Sequence, residues 1–141
     1  MKNILCAVDL SDESDAQKVL AEADKLAGLY SAKLTVVTVV PDYGSSWVGS
    51  FFKEGTLKLA TEAAMEALHK LTGKTLKSGA PVQHIVEIGT TYEQVLAVEA
   101  KTKADLIIVG AHKPDLASRI VGPNASRIVR FAQASVMVVR V

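Results

Sequence analysis

The chain has 141 residues, with 16 Lys and Arg against 15 Asp and Glu, three His and one Cys. That length sustains a single hydrophobic core without disulfide or metal staples. A net charge of +1 supplies no overall field for nucleic acid or an anionic membrane, so any anion binding must be local. One cysteine excludes an internal disulfide and a multi-cysteine metal cluster, and Cys6, inside an apolar run, reads as a small core residue.

Taken in chain order, Asn3 to Val8 is an apolar strand ending at Asp9. Ser11, Asp12 and Ser14 offer caps for a helix in which Val19, Leu20, Ala23, Leu26 and Ala27 recur at helical spacing, and Gly28 is expected to loosen its end. Lys33 to Val40 is a second strand, stopped by Pro41. Asp42 to Gly55 is rich in glycine and aromatics without a steady period and reads as a loop. From Thr56 to about Leu76 the pattern Leu57, Ala60, Ala64, Ala67, Leu68, Leu71 predicts a long amphipathic helix, ended by Gly79-Ala80-Pro81. Val82 to Ile88 is a third strand, with Gly89 at the corner before a helix that starts near Thr90 or Thr91 and runs from Tyr92 to Lys101. Asp105 to Ala111 is a fourth strand, about Asn124 to Ala132 a last helix, and Ser135 to Arg140 a fifth strand.

Strands alternating with helices make this α/β: an open five-stranded parallel sheet with helices on both faces, in one domain spanning residues 1–141. Right-handed crossovers with one reversal give the strand order 3-2-1-4-5. No apolar run approaches the ~20 residues of a membrane span. Met1-Lys2-Asn3 leads directly into a strand without a signal-peptide pattern, so a cytoplasmic protein with no membrane or nucleic-acid partner is expected.

That order places Asp9, at the end of the first strand, and Gly110-Ala111-His112-Lys113, at the end of the fourth, on either side of the reversal, where open α/β sheets bind ligands. A carboxylate there can accept from a ribose or an adenine edge, although Asp is equally at home in a cap or turn. Lys113 offers a point charge to phosphate oxygens, and Gly122, Asn124, Ala125 and Ser126 open the last helix, whose free N–H groups and dipole favour an anion. Pro123 lies in that stretch and has no N–H to give.

The remaining polar candidates read as structural or solvated. His69 and His84 share no metal-ligand spacing with another donor, and Arg119, Arg127 and Arg130 form a small solvated basic face. Trp47, Phe51 and Phe52, in the loop after the second strand, could cover a base, meet a partner or fill the core. The apolar run Ser135 to Val141 is an edge strand in this order and predicts a homodimer. No nucleophile with an adjacent base, no paired carboxylates and no metal set can be assembled. A non-enzymatic protein is therefore expected, with slow hydrolysis of a bound phosphate ester or self-phosphorylation left open. A phosphorylated receiver is disfavoured because the third strand ends in Ile88-Gly89, without an aspartate.

With these residues in view, the chain resembles the universal stress protein family over its length from Ile4 to Arg140. Ile4-Leu5-Cys6-Ala7-Val8-Asp9-Leu10-Ser11 is similar to that family's opening strand, which supplies an Asp to the nucleotide. Family members that bind ATP carry Gly, two residues, Gly, nine residues, then Gly and Ser or Thr; here Gly110-Ala111-His112-Lys113 is followed by eight residues and Gly122-Pro123. Lys113 thus replaces a glycine, the spacing is one shorter, and Pro123 replaces the hydroxyl residue. His112-Lys113-Pro114-Asp115 with Gly122-Pro123-Asn124-Ala125 resembles a small nucleotide-binding subgroup that reads His-Arg-Pro-Asp and Gly-Ser-Asn-Ala. The resemblance implies an adenine-nucleotide alpha hydrolase-like fold and a role in stress response. It implies ATP, with Mg2+, as ligand, weakened by Pro123. Adenine would sit near Ala7, Asp9 and Val39, and ribose and phosphates along Val109, Gly110, His112, Lys113, Gly122, Asn124, Ala125 and Ser126. The alternative it leaves is a nucleotide-free dimeric interaction module.

Overall fold

Successive side chains of a strand point to opposite faces of a sheet, so an uninterrupted apolar strand needs cover on both. The computed structural model describes residues 1–41, 54–112 and 122–141. Among these, strands β1 (Asn3–Ala7), β2 (Lys33–Val40), β3 (Val82–Ile88), β4 (Leu106–Ala111) and β5 (Ser135–Arg140) alternate with helices α1 (Glu13–Tyr30), α2 (Glu54–Thr75), α3 (Thr91–Thr102) and α4 (Pro123–Phe131). Every strand pairing is parallel, and the order is β3-β2-β1-β4-β5, the predicted one.

The alternation divides the core in two. Ile4, Cys6 and Val8 face α1 and α2, where they meet Val19, Leu20, Ala23, Leu68 and Leu71. Leu5, Val37, Ile107 and Val109 face α3 and α4, packed with Val95, Val98, Ala125 and Ile128. Cys6 is fully buried, and burial pushes its thiol up to about 12, which leaves it protonated and unreactive at neutral pH.

Several boundaries differ from the sequence expectation for identifiable reasons. Asp12 is the residue that caps α1, accepting from Asp15 N–H at 3.1 Å. Gly28 does not end that helix, which continues to Tyr30 and closes on Ser31 in the left-handed conformation (φ 51°). A Cβ at Gly28 would stand 3.0 Å from Ser78 Cβ, so the glycine lets the turn between α2 and β3 lie against α1. One helical turn earlier, Asp24 holds the same turn: its carboxylate accepts from Lys77 N–H at 2.8 Å, Ser78 N–H at 3.2 Å and Ser78 Oγ–H at 2.5 Å. β4 begins one residue late, at Leu106, although Asp105 N–H already bonds to the Asn3 carbonyl at 2.9 Å and its carboxylate accepts from Lys2 N–H at 2.8 Å. The predicted loop from Asp42 gives way to helix at Glu54, one residue before its expected end. Residues 42–53, with Trp47, Phe51 and Phe52, lie outside the described residues.

The two histidines read separately in the sequence meet in the fold. His69 on α2 stacks on His84 of β3 with ring centroids 3.8 Å apart and planes at 23°. Thr72 joins them. Its hydroxyl lies 3.1 Å from the His69 carbonyl and 2.7 Å from His84 Nε2, within hydrogen-bond reach of both.

Two tests follow from these buried polar groups. Desolvation alone would raise the Asp24 carboxyl, but the hydrogen bonds from Ser78 and Lys77 and the Lys77 charge outweigh it and hold the group below its ordinary range. Its contribution is therefore present above the unfolded carboxylate pKa and lost as pH falls through the folded value. Asp24→Ala, which strands several donors, is expected to destabilise by about 2–4 kcal/mol in urea unfolding at neutral pH and to shrink that difference in acid. Desolvation and the facing His69 hold His84 below 6.5. The folded state thus resists its protonation, and stability from this site is full above that pH and declines below it. Melting temperatures measured between about pH 5 and pH 8 should show a weaker acid decline in His84→Gln than in wild type; parallel curves would contradict the assignment.

Candidate functional site

In a parallel α/β sheet every helix that follows a strand starts at the carboxyl edge, so α1, α3 and α4 all open toward one end. There β1 and β4 are hydrogen-bonded neighbours whose following helices leave to opposite faces. The gap that results is a cleft of about 1040 Å³. Its floor is the end of β1 (Ala7, Val8, Asp9) and of β4 (Val109, Gly110, Ala111, His112). Thr38, Val39, Val40 and Pro41 form one side, and the first turns of α1 and α4 form the others.

Asp9 accepts from Ser11 N–H at 2.9 Å through Oδ1, so the carboxylate shapes the turn into α1 while it lines the cleft. The turn reading and the site reading of Asp9 therefore coexist. Asp12 and Asp15 join it on the same rim. The ring of His112 is exposed, with Nδ1 3.8 Å from Asp15 Oδ2, while its carbonyl accepts from Arg140 Nη1 at 2.9 Å. Arg140 thereby fixes the exit of β4 from the neighbouring strand, and Val141 N–H bonds to the Ala111 carbonyl at 3.0 Å to extend that tie.

Gly110 has a structural role the sequence did not disclose. A Cβ there would fall 2.7 Å from Val19 Cγ2, inside any real contact distance, so the glycine is required by the close approach of α1 to β4. Gly122, by contrast, has ordinary backbone angles (φ −53°, ψ 159°), and among the described residues nothing lies within 4 Å of an added Cβ.

The start of α4 is built for acceptors. Gly122 is the N-cap and supplies no side-chain cap, Pro123 occupies N1, and the first intrahelical bond runs from Ser126 N–H to the Gly122 carbonyl at 2.8 Å. The N–H groups of Asn124 and Ala125 are left without intrahelical partners, at the positive end of the helix dipole, and both residues line the cleft. Pro123 thus removes one donor of a possible three and leaves two.

Of the predicted site residues, Ala7, Asp9, Val39, Val109, Gly110, His112, Gly122, Asn124 and Ala125 all border this one cleft. Ser126 does not. It lies a turn inside α4 with its N–H committed to Gly122, so among the described residues it is no part of the wall. The side chain of Asn124 turns to α3, where Oδ1 accepts from Tyr92 N–H at 3.3 Å. Lys113, Pro114, Asp115 and Arg119 lie outside the described residues. Thr91, Thr38, Asp15 and Ala64 border the cleft without having been singled out. Thr91 could have been found, since a helix after β3 must begin at the same edge as those after β1 and β4.

Among the described residues, no helix is long and apolar enough to cross a membrane, and no cluster of three or more His, Cys, Asp or Glu is arranged to hold a metal ion.

Known proteins share this arrangement. The universal stress protein family model matches residues 1–140. The chain is 31% identical over 140 residues to universal stress protein A homolog 1 of Coxiella burnetii, an alignment covering 98% of this chain and 95% of that protein. The fold matches universal stress protein UspA from Lactobacillus plantarum with a TM-score of 0.70 at 25% identity, covering 99% and 97% of the two chains. It matches the Archaeoglobus fulgidus universal stress protein in complex with dAMP with a TM-score of 0.64 at 19% identity, covering 98% and 97%. A family match along nearly the whole length and a full-length relative at this identity agree with the observed sheet order, and the chain belongs to the universal stress protein family.

Proposed function

We propose that this chain binds an adenine nucleotide in the cleft between β1 and β4 and acts in stress response as a non-enzymatic sensor or adaptor. The observation that carries this is the uncapped start of α4, whose Asn124 and Ala125 N–H groups open into the same cleft as Asp9. An Archaeoglobus fulgidus protein of the same fold is a complex with dAMP, which supports an adenosine phosphate as the ligand class.

The cleft volume, near the upper end of the range usual for small-molecule sites, accommodates ATP. Ala7, Asp9 and Val39 would hold the adenine and ribose. Val109, Gly110, His112 and the Gly122–Ala125 turn would hold the phosphates, joined by Lys113. A Mg2+ ion would be carried mainly by those phosphates. Two of the described rim carboxylates already have backbone partners, Asp9 with Ser11 N–H and Asp12 with Asp15 N–H, the Asp15 carboxylate faces His112 at 3.8 Å, and among the described residues no nucleophile–base pair stands beside them. A non-enzymatic role rests on that. A bound nucleotide would bridge α1, β4 and α4 and so bias the surface presented to a partner in the cytoplasm.

Among the described residues β5 pairs on one side only, and Met137 on it is exposed, as are Val129 and Phe131 of α4. That edge favours a homodimer through residues 135–141. Sedimentation should show a dimer; a monomer at all concentrations would contradict it.

Pro123 decides between a nucleotide sensor and a nucleotide-free interaction module of the same family. A hydrogen bond to a charged group contributes about 1.5–3 kcal/mol, so restoring donors with Pro123→Ser is expected to tighten ATP about 10-fold or more in calorimetric titration. Equal affinities would remove the role given to the proline. Wild type and Pro123→Ser that both ignore millimolar ATP and magnesium in a thermal shift would favour the nucleotide-free module.

A further inference from the structure

We infer that Asn124 is a positioning residue for the phosphate end of the cleft: its side chain clasps α3, and through that clasp it sets where the N–H groups of α4 point. This rests on the reading that phosphates meet the start of α4, and extends it to a residue that acts with its side chain turned away from the ligand.

Three observations combine. First, α3 lacks its own side-chain cap, because Thr90 at its N-cap makes no such bond. Asn124 Oδ1 fills that role from another helix, accepting at 3.3 Å from Tyr92 N–H, the second residue of α3 and a position an N-cap side chain would ordinarily serve. Second, Arg127, three residues on and therefore on the same face of α4, places its guanidinium 4.9 Å from the centroid of the Tyr92 ring. One residue of α3 is thus gripped twice from one face of α4. Third, α4 is only nine residues long, begins without a side-chain cap, and buries just Ala125 and Ile128. Two small anchors on one face leave the rotation and tilt of a short helix weakly fixed. The clasp on Tyr92 supplies a second face of contact.

The consequence is selective. The adenosine end of the cleft is built by β1 and β2, neither of which depends on α4 for its place in the sheet. The phosphate end is built by the α4 turn. Loss of the clasp should therefore weaken recognition of the phosphate and spare recognition of the nucleoside, because preorganised contacts lose much of their value when displaced by about 1 Å.

The test compares AMP with adenosine by calorimetry on wild type, Asn124→Ala and Tyr92→Leu, together with amide hydrogen exchange at Tyr92 in the nucleotide-free protein. Tyr92→Leu removes the stacked ring without changing any charge, and Tyr92 does not border the cleft. Asn124→Ala is expected to speed Tyr92 exchange and weaken AMP by about 5-fold or more, the effect of losing one cap, with adenosine changed less than about 2-fold. Tyr92→Leu should move AMP in the same direction. Asn124→Asp retains an acceptor and should keep Tyr92 protected, which checks that the cap and not the folding of the variant is being read. Unchanged Tyr92 exchange in Asn124→Ala, equal weakening of AMP and adenosine, or a loss in Asn124→Ala with none in Tyr92→Leu would each overturn the inference. Wild type that binds neither ligand would instead remove the nucleotide reading, and the inference with it.

Discussion

A parallel strand can be reached only by a crossover, and a right-handed crossover commits its helix to one face of the sheet. Here the strands are apolar on both faces, so both must be covered. The chain meets the requirement by laying α1 and α2 on one side, reversing after β3, and laying α3 and α4 on the other. The cleft is a by-product of that reversal. Between β1 and β4 the two following helices diverge, and no side chain of the core fills the space they leave. Asp9 meets the end of β4 and the start of α4 there because of topology, since it is far from both in sequence.

The close contacts between elements are set by small residues and by long-range polar ties. Gly110 admits α1 to within contact of β4, and Gly28 admits the α2–β3 turn to α1. Asp24 then locks that turn with hydrogen bonds, and Arg140 reaches from β5 to the carbonyl of His112. Each tie crosses between elements that the sheet alone would hold only at one end. The Gly28 and Asp24 contacts act at the amino edge of the sheet, while Gly110 and the Arg140 tie fix the backbone at the cleft rim, where a ligand would need donors already in place.

The features legible in the sequence are those that follow from period and order. The continuous apolar runs, the caps and the alternation of elements are enough to obtain the strand order and to bring Asp9 opposite Gly110 and Gly122. What was not legible depends on contacts between distant segments. Gly28 reads locally as a helix terminator, but its partner is Ser78, fifty residues away. Gly110 reads as a place for a ligand to approach, yet Val19 occupies its Cβ position. His69 and His84 share no motif and become a pair only when α2 packs on β3. Asn124 reads as part of the opening of its own helix, yet its side chain accepts from Tyr92 N–H of α3, and the Ser126 N–H closes the first turn of α4. The family resemblance implies a phosphate site at this turn, and in the structure the Asn124 and Ala125 N–H groups there have no intrahelical partner.

The central claim is that one cleft, floored by β1 and β4 and closed by the start of α4, is where an adenine nucleotide binds. Backbone amide chemical shifts of labelled protein titrated with AMP test it most directly. The expected result is a saturable set of changes at Ala7, Asp9, Val39, Val109 to His112, and at the Asn124 and Ala125 amides. Saturable changes confined to another surface, such as β3 and the exposed face of α2, or no changes at millimolar AMP, would contradict it.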